Sequence, residues 1–320
     1  MAQFQQVRPF GKTGLEVTSL CIGCAELGSM PEAFAYAVPE EQALATLRAC
    51  FQSPINFIDT AASYGDGESE RRIGLVLREI GGVPRGCVLA TKADRDLHSG
   101  DFSGEQIKRS VERSLKLLGL DRLQFVYLHD PEHAAFEDIM AKGGATDVLL
   151  RFKAQGVIGH VGMAGGPVDL MIRYIETGAF EAVITHNRYT LLNRSAEPLL
   201  ARGAELGIAV VNAAPYGSGL LAKGPDACPR YAYQSAPDAI LDRARRLAAI
   251  CDRHQVPLAA AALQFSMRDP RITSTIVGFS KVERIGQTLE LAHCAIPEAI
   301  WPELEAVGYD TDDPEADRWK

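Results

Sequence analysis

The chain has 320 residues, enough for one large barrel or two ordinary domains, and its 47% hydrophobic and 23% charged residues support a sizeable core under an ordinary surface. A formal net charge of -8 excludes the clustered basic surface on which nucleic-acid and anionic-membrane binding depend, leaving small molecules as the expected partners of a monomer or homodimer. The start, MAQFQQVRPFGKTGLEV, has no apolar run behind a basic segment, and no later stretch stays apolar long enough to span a bilayer, so a cytoplasmic location is expected.

Ahead of the first strand, VRPFGKTGLEV sets turn residues between two short extended runs and predicts a β-hairpin. Its GKT is not a phosphate loop, because that pattern needs a glycine five residues before Gly11, where Gln6 stands. Eight short apolar segments rich in β-formers follow: SLCIGCA, INFIDTA, CVLATK, FVYLHD, GHVGMA, AVITH, AVVNAA and STIVGF. Helical periodicity separates them over 40–52, 69–80, 103–118, 137–154, 169–177, 195–206, 238–254 and 281–292. The third of these has Ser103 as its cap, Ile107, Val111, Leu115 and Leu118 on one face, and Gly119 to end it.

Strands that read as continuous apolar runs are covered by helices on both faces, which favours parallel order. Asp59, Lys92, His129 and His186 close four different strand segments, as on the C-terminal face where barrels build their sites. A doubly wound sheet would want G-x-G-x-x-G after its first strand, and GCAELGSM stands there instead. The expected fold class is therefore α/β, a (β/α)8 TIM barrel with an N-terminal β-hairpin. No linker or low-complexity tract divides the chain, so residues 1–320 are expected to form a single domain, with DTDDPEADRWK as a frayable acidic end. Seven cysteines, an odd number with several in strand-like runs, read as free thiols; Cys21 and Cys24 have C-x-x-C spacing but do not open a helix.

The most informative stretch is INFIDTAASYGDGESERRIG, where a strand ends at Asp59 and a loop presents Tyr64. A phenol with a reference pKa of about 10 exchanges protons poorly at neutral pH and needs a nearby cation to become acidic. Lys92, ending the next strand, is the candidate cation, and Asp59 the carboxylate that holds it. His129, ending the strand after that, could hydrogen-bond a substrate oxygen in the same mouth. Alone, each strand-end Asp, Lys or His is structural as often as catalytic, so the set is the signal. A strand-end lysine also builds Schiff-base aldolases, which keeps that chemistry open through Lys92.

With these residues in place, the sequence resembles the aldo-keto reductases over nearly its whole length. The matching stretches are GKTGLEVTSLCIGCAELG, FIDTAASYGDGESERRIG, LATK, SVERSLKLLGLDRLQFVYLHD and AAPYGSGLL. That family's catalytic tetrad maps onto Asp59, Tyr64, Lys92 and His129. The resemblance implies an NAD(P)-dependent oxidoreductase in which Tyr64 is the acid for carbonyl reduction or the base for alcohol oxidation, with direct hydride transfer and no metal. RYTLL at 188–192, RHQVPLAAAALQF at 253–265 and IPEAIWPELEAVG are similar to the aldose 1-dehydrogenase branch, comprising L-fucose, D-threo-aldose and L-galactose dehydrogenases, which oxidise a cyclic sugar at C1 to a lactone. Pyridoxal 4-dehydrogenase, acting on another cyclic hemiacetal, resembles it too, and general aldehyde or ketone reduction is a further alternative. A cofactor-sensing subunit on the same fold would not need the complete tetrad.

For the cofactor, Tyr216, Gly217, Ser218, Gly219 and Leu220 in AAPYGSGLL are expected to wrap a pyrophosphate with small residues and backbone N–H groups. In VGFSKVERIGQTLE, Gly278, Ser280, Arg284 and Thr288 are expected near the adenosine ribose at a helix start, with Gly23 at the end of the first strand. NADP-preferring relatives carry a Lys after this last strand, whereas Gly278, Phe279 and Ser280 fill the stretch and leave Lys281 and Arg284 as cations; of NAD or NADP this favours NAD. Relatives also hold the carboxamide with Ser-Asn and Gln where this chain has Ala164, Gly165 and His186, and they stack a Tyr near Ala213. His186 is a candidate for part of that clamp and equally for a strand-end histidine satisfied by its neighbours. Glu26 could hydrogen-bond sugar hydroxyls or be a rim carboxylate.

Overall fold

The computed structural model describes residues 7–316. Its frame is a closed barrel of parallel strands: β1 (Leu20–Gly23), β2 (Phe57–Asp59), β3 (Val88–Ala93), β4 (Leu123–His129), β5 (Ile158–Ala164), β6 (Ala182–His186), β7 (Ala209–Ala213) and β8 (Ile272–Gly278), with β8 pairing back onto β1. The expected architecture is what forms. The helices around it are α1 (Glu40–Gln52), α2 (Glu68–Ile80), α3 (Gly104–Leu118), α4 (Ala145–Ala154), α5 (Val168–Glu176), α6 (Glu197–Leu206), α7 (Asp238–Arg253), α8 (Leu258–Met267) and α9 (Glu283–His293). Alternation along each strand divides two apolar layers. One set of side chains, including Cys21, Phe57, Ala90, Phe125, Tyr127 and Val211, fills the barrel, and the other meets the helices.

The predicted hairpin pairs Arg8–Pro9 with Glu16–Val17. Its tip pushes Phe10 into the barrel floor, edge-on to Phe57 and Phe125 with ring centroids 5.2 Å away in each case. Ser103 caps α3 by accepting from the Gln106 N–H, and Gly119 closes that helix in a left-handed conformation. All seven cysteines are free. Among the described residues no helix is long and apolar enough to cross a membrane.

Two expectations need correction, and one helix lies where none is predicted. The helix predicted over 137–154 is two, Phe136–Met140 and Ala145–Ala154, because the chain turns at Gly143 (φ +80°) and Gly144 packs its Cα against the Asp138 carbonyl. Helix α8 has no predicted counterpart: it is apolar nearly all round and buried between neighbours, so it shows no polar stripe. The acidic tail is not loose within 310–316. Asp310 bridges to Asn193, Asn193 Nδ2 donates to the Asp312 carbonyl (2.8 Å), and Glu315 is wholly buried. Residues 317–320 of the predicted frayable end lie outside the described residues.

Candidate active site

Register carries the polar strand ends to one mouth. Gly23 lies opposite Asp59, Lys92 opposite Tyr127, His129 opposite Ala164, and His186 opposite Ala213. After β2 the chain follows the neighbouring strand, with the Thr60 N–H donating to Ala90 (3.0 Å) and the Ala62 N–H to Lys92 (3.1 Å). It then turns through Gly65 (φ +61°), where the backbone lies so close to Gly28 that a Cβ would stand 2.0 Å from the Gly28 carbonyl oxygen. Only glycine permits this approach, and the approach fixes where Tyr64 enters the mouth.

Lys92 Nζ spends its three donors on three acceptors: Asp59 Oδ2 at 2.5 Å, the Thr60 carbonyl at 2.9 Å and Tyr64 Oη at 3.1 Å. Because Tyr64 accepts from the ammonium, its own proton is left to point elsewhere. Burial opposes the charge on Lys92, but Asp59 and Tyr64 outweigh it and hold the amine above its ordinary value. Burial pushes the Asp59 carboxyl up, with Lys92 pulling it back. The phenol differs from expectation. Burial lifts Tyr64 above its ordinary value, Lys92 lowers it only in part, and Asp59 raises it further, so the resting group is a neutral phenol.

His129 meets Tyr64 edge-on, ring centroids 5.9 Å apart, completing the gathering of the four predicted catalytic residues. Its Nδ1 is 2.6 Å from Asp94 Oδ1, and Asp94 Oδ2 accepts from the Ser63 N–H (2.9 Å). Burial disfavours the imidazolium, but Asp130 and Asp94 outweigh it and raise His129 to about 8. Nothing in the sequence marks Asp94, which lies just past the CVLATK segment.

The expected nucleotide contacts fall into two groups. Tyr216, Gly217, Ser218 and Gly219 form a turn after β7 with left-handed backbone at 217–219, buried Leu220 opens a short helix, and the buried Tyr216 hydroxyl has no hydrogen-bond partner among the described residues. Gly23, Gly278, Ser280 and Arg284 gather where β1 meets β8 and α9 begins, and Arg284 acts electrostatically on Tyr216, Tyr36 and Glu26. Thr288 is buried on the inner face of α9. A helix start, a guanidinium, a small-residue turn and an unspent hydroxyl suit a dinucleotide.

Ala164 lines the barrel interior beside His129. Gly165 leaves room for Glu132, whose Oε2 would stand 2.8 Å from a Cβ there and whose Oε1 accepts from the Gly166 N–H (2.8 Å). His186 is committed to the tail, its Nε2 lying 2.9 Å from Glu315 Oε1. The same carboxylate accepts from Asn187 Nδ2 (3.0 Å) and Arg188 Nη1 (3.3 Å), and Arg188 Nη2 pairs with Asp313 at 2.7 Å. Burial works against the Glu315 charge, yet His186, Arg188 and Asn187 hold its carboxyl down at about 2. Nothing in the sequence marks this latch or wholly buried Arg188, which stands in the RYTLL stretch.

Comparison with known proteins shows the family. Residues 19–308 match the Aldo/keto reductase family. The chain is 34% identical to D-threo-aldose 1-dehydrogenase of Pseudomonas sp, covering 91% of this chain and 94% of that protein. It is 30% identical to pyridoxal 4-dehydrogenase of Microbacterium luteolum (94% and 97% covered) and 29% identical to L-galactose dehydrogenase of Arabidopsis thaliana (94% of each). An aldo-keto reductase from Bacillus halodurans, solved in its holo form, superposes with a TM-score of 0.79 at 21% identity over 98% of this chain and 99% of that one, which supports the fold.

Proposed function

The chain belongs to the aldo/keto reductase family, and from that premise we propose that it oxidises the C1 hydroxyl of a cyclic aldose to the lactone, using NAD in preference to NADP. It is an NAD(P)-dependent oxidoreductase acting on a small molecule; the sugar and the nucleotide preference are the proposal. The observation that carries the chemistry is the Lys92 ammonium 3.1 Å from Tyr64 Oη, with Asp59 behind it.

Bound nicotinamide would supply hydride exchange at its C4 carbon. Around it, Tyr64 exchanges the proton of the substrate oxygen, giving it up in reduction and taking it in oxidation. Lys92 stabilises the phenolate required for oxidation, and Asp59 keeps the ammonium charged and aimed. His129, cationic below about 8, donates a hydrogen bond to the substrate oxygen while Asp94 fixes its ring. Residues 216–219 with Arg284 would hold the nucleotide, and the Gly278–Phe279–Ser280 stretch lacks the lysine that favours NADP. The 34% identity to an aldose 1-dehydrogenase supports the sugar.

Pyridoxal oxidation is the second reading, on the 30% identical relative, and needs the same proton chemistry at another cyclic hemiacetal. Schiff-base chemistry is disfavoured, since Lys92 is held protonated by three acceptors and an ammonium is not a nucleophile. The test is nicotinamide reduction against a panel of aldoses, pyridoxal and simple alcohols, with the product identified by NMR. A lactone from an aldose is expected; turnover of pyridoxal or alcohols alone would move the substrate assignment.

A further inference from the structure

Glu26 starts a short 3-10 turn after β1, and its carboxylate lies against the backbone of Gly278 at the end of β8. A Cβ on Gly278 would stand 1.8 Å from Glu26 Oε1 and 2.4 Å from Cδ, so a side chain at 278 and the carboxylate cannot occupy this place together. The two strands pair here, Gly23 opposite Gly278, and α9 begins just beyond with Arg284 in its first turn. A helix start with a guanidinium is a place that attracts anions. In this chain the anion is internal: Arg284 acts on Glu26, and the proton-exchange centre around Tyr64 makes no use of this carboxylate.

We propose that Glu26 is the specificity-determining residue for the nucleotide, accepting hydrogen bonds from ribose hydroxyls and repelling a phosphate brought to the same place, so that NAD is taken and NADP rejected. The proposal rests on the nicotinamide-nucleotide reading above. A vicinal diol donates two hydrogen bonds that a carboxylate accepts, whereas a phosphomonoester brings only acceptors and like charge. Such a carboxylate distinguishes the two nucleotides by one group, without altering how the rest is held.

Discrimination should also grow with pH. Burial lifts the Glu26 carboxyl to about 7, with Arg284 pulling it down, so its charge increases between pH 6 and 8. The other titratable groups that act with it, Tyr36 and Cys24, are both raised above their ordinary values and stay neutral across that range.

The test is binding rather than turnover. Dissociation constants for NAD, NADP, ADP and adenosine 2′,5′-bisphosphate are measured calorimetrically on the whole protein, wild type, Glu26→Gln and Glu26→Asp, at pH 6 and pH 8. Wild type is expected to bind NAD at least about 10-fold more tightly than NADP at pH 8, and Glu26→Gln to bring the ratio near one, chiefly by tightening NADP, with a smaller change at pH 6. Glu26→Asp, which keeps the charge but withdraws it, falls between them. Should the Gln protein not fold, the wild-type preference for ADP over the bisphosphate, together with the Asp protein, decides. An unchanged NAD to NADP ratio in the variants, or equal wild-type affinities, overturns the proposal. A wild type that binds neither dinucleotide overturns the nicotinamide reading itself.

Discussion

At the scale of single residues, the chemistry rests on how one ammonium divides its hydrogen bonds. Lys92 donates to Tyr64, Asp59 and the Thr60 carbonyl, and burial leaves the phenol neutral at rest. A neutral phenol is ready to give a proton and unready to take one. Carbonyl reduction is therefore expected to keep its rate from pH 6 to 7 and to fall as His129 loses its proton through about 8, while alcohol oxidation, which needs the phenol to lose its proton, gains relative to reduction as pH rises; rates in both directions from pH 6 to 9 check this. Asp130 and Asp94 together set the state of His129, and Asp94 also fixes its ring through Nδ1. Its imidazolium, raised to about 8 from an ordinary 6.5, contributes stability fully present below 6.5 and lost as pH rises through about 8. In Asp94→Asn the His129 resonance in an NMR titration should move back toward 6.5, and kcat/KM should fall about 10-fold or more, with its alkaline limb moving to lower pH. An unmoved His129 titration would remove Asp94 as the positioning residue. Asp59, Tyr64, Lys92 and His129 were legible because polar residues stand out at the ends of apolar strands. Asp94 was not, and Glu26 stayed open between a sugar contact and a rim carboxylate, because a carboxylate beside a loop looks the same whether it faces water or a cation.

Among the elements, two contacts hold the mouth in shape. The Gly28 and Gly65 backbones touch, which ties the turn carrying Tyr64 to the turn after β1. Gly65→Ala adds a Cβ against a carbonyl at positive φ and should destabilise by roughly 1–3 kcal/mol in urea melts while lowering kcat, as Tyr64 shifts from Lys92. The tail latch acts through charge. Glu315, at about 2 against an ordinary 4.5, contributes stability present above 4.5 and lost as pH falls toward 2. That difference corresponds to about 3 kcal/mol, so Glu315→Gln should lower the melting temperature at pH 7 and differ less from wild type as pH falls below 4.5. Melting curves that part equally at every pH would contradict an ionic latch. The latch escaped sequence reading because Glu315 and Asn187 are 128 residues apart, and an acidic tail carries no sign of the arginine it will meet. Strand positions were legible from short apolar runs; α8 was not, since a helix buried all round shows no periodic polar face.

For the whole molecule, barrel closure turns separate strand ends into one site. Asp59, Lys92 and His129 come from three successive strands and meet only because the parallel register brings those ends level. Phe10 anchors the opposite end, wholly buried against Phe57 and Phe125. Phe10→Ala should cost about 3–5 kcal/mol, read as a lower urea midpoint with an unchanged slope. The barrel was legible because eight strand-and-helix alternations and the position of the polar residues agree, and the hairpin because turn chemistry is local. The most direct test of the account compares wild type and Tyr64→Phe for calorimetric NAD affinity and for nicotinamide reduction with an aldose. The account predicts NAD affinity within about 2-fold of wild type and a rate lowered at least about 1,000-fold. A Phe variant that turns over at a comparable rate would contradict it.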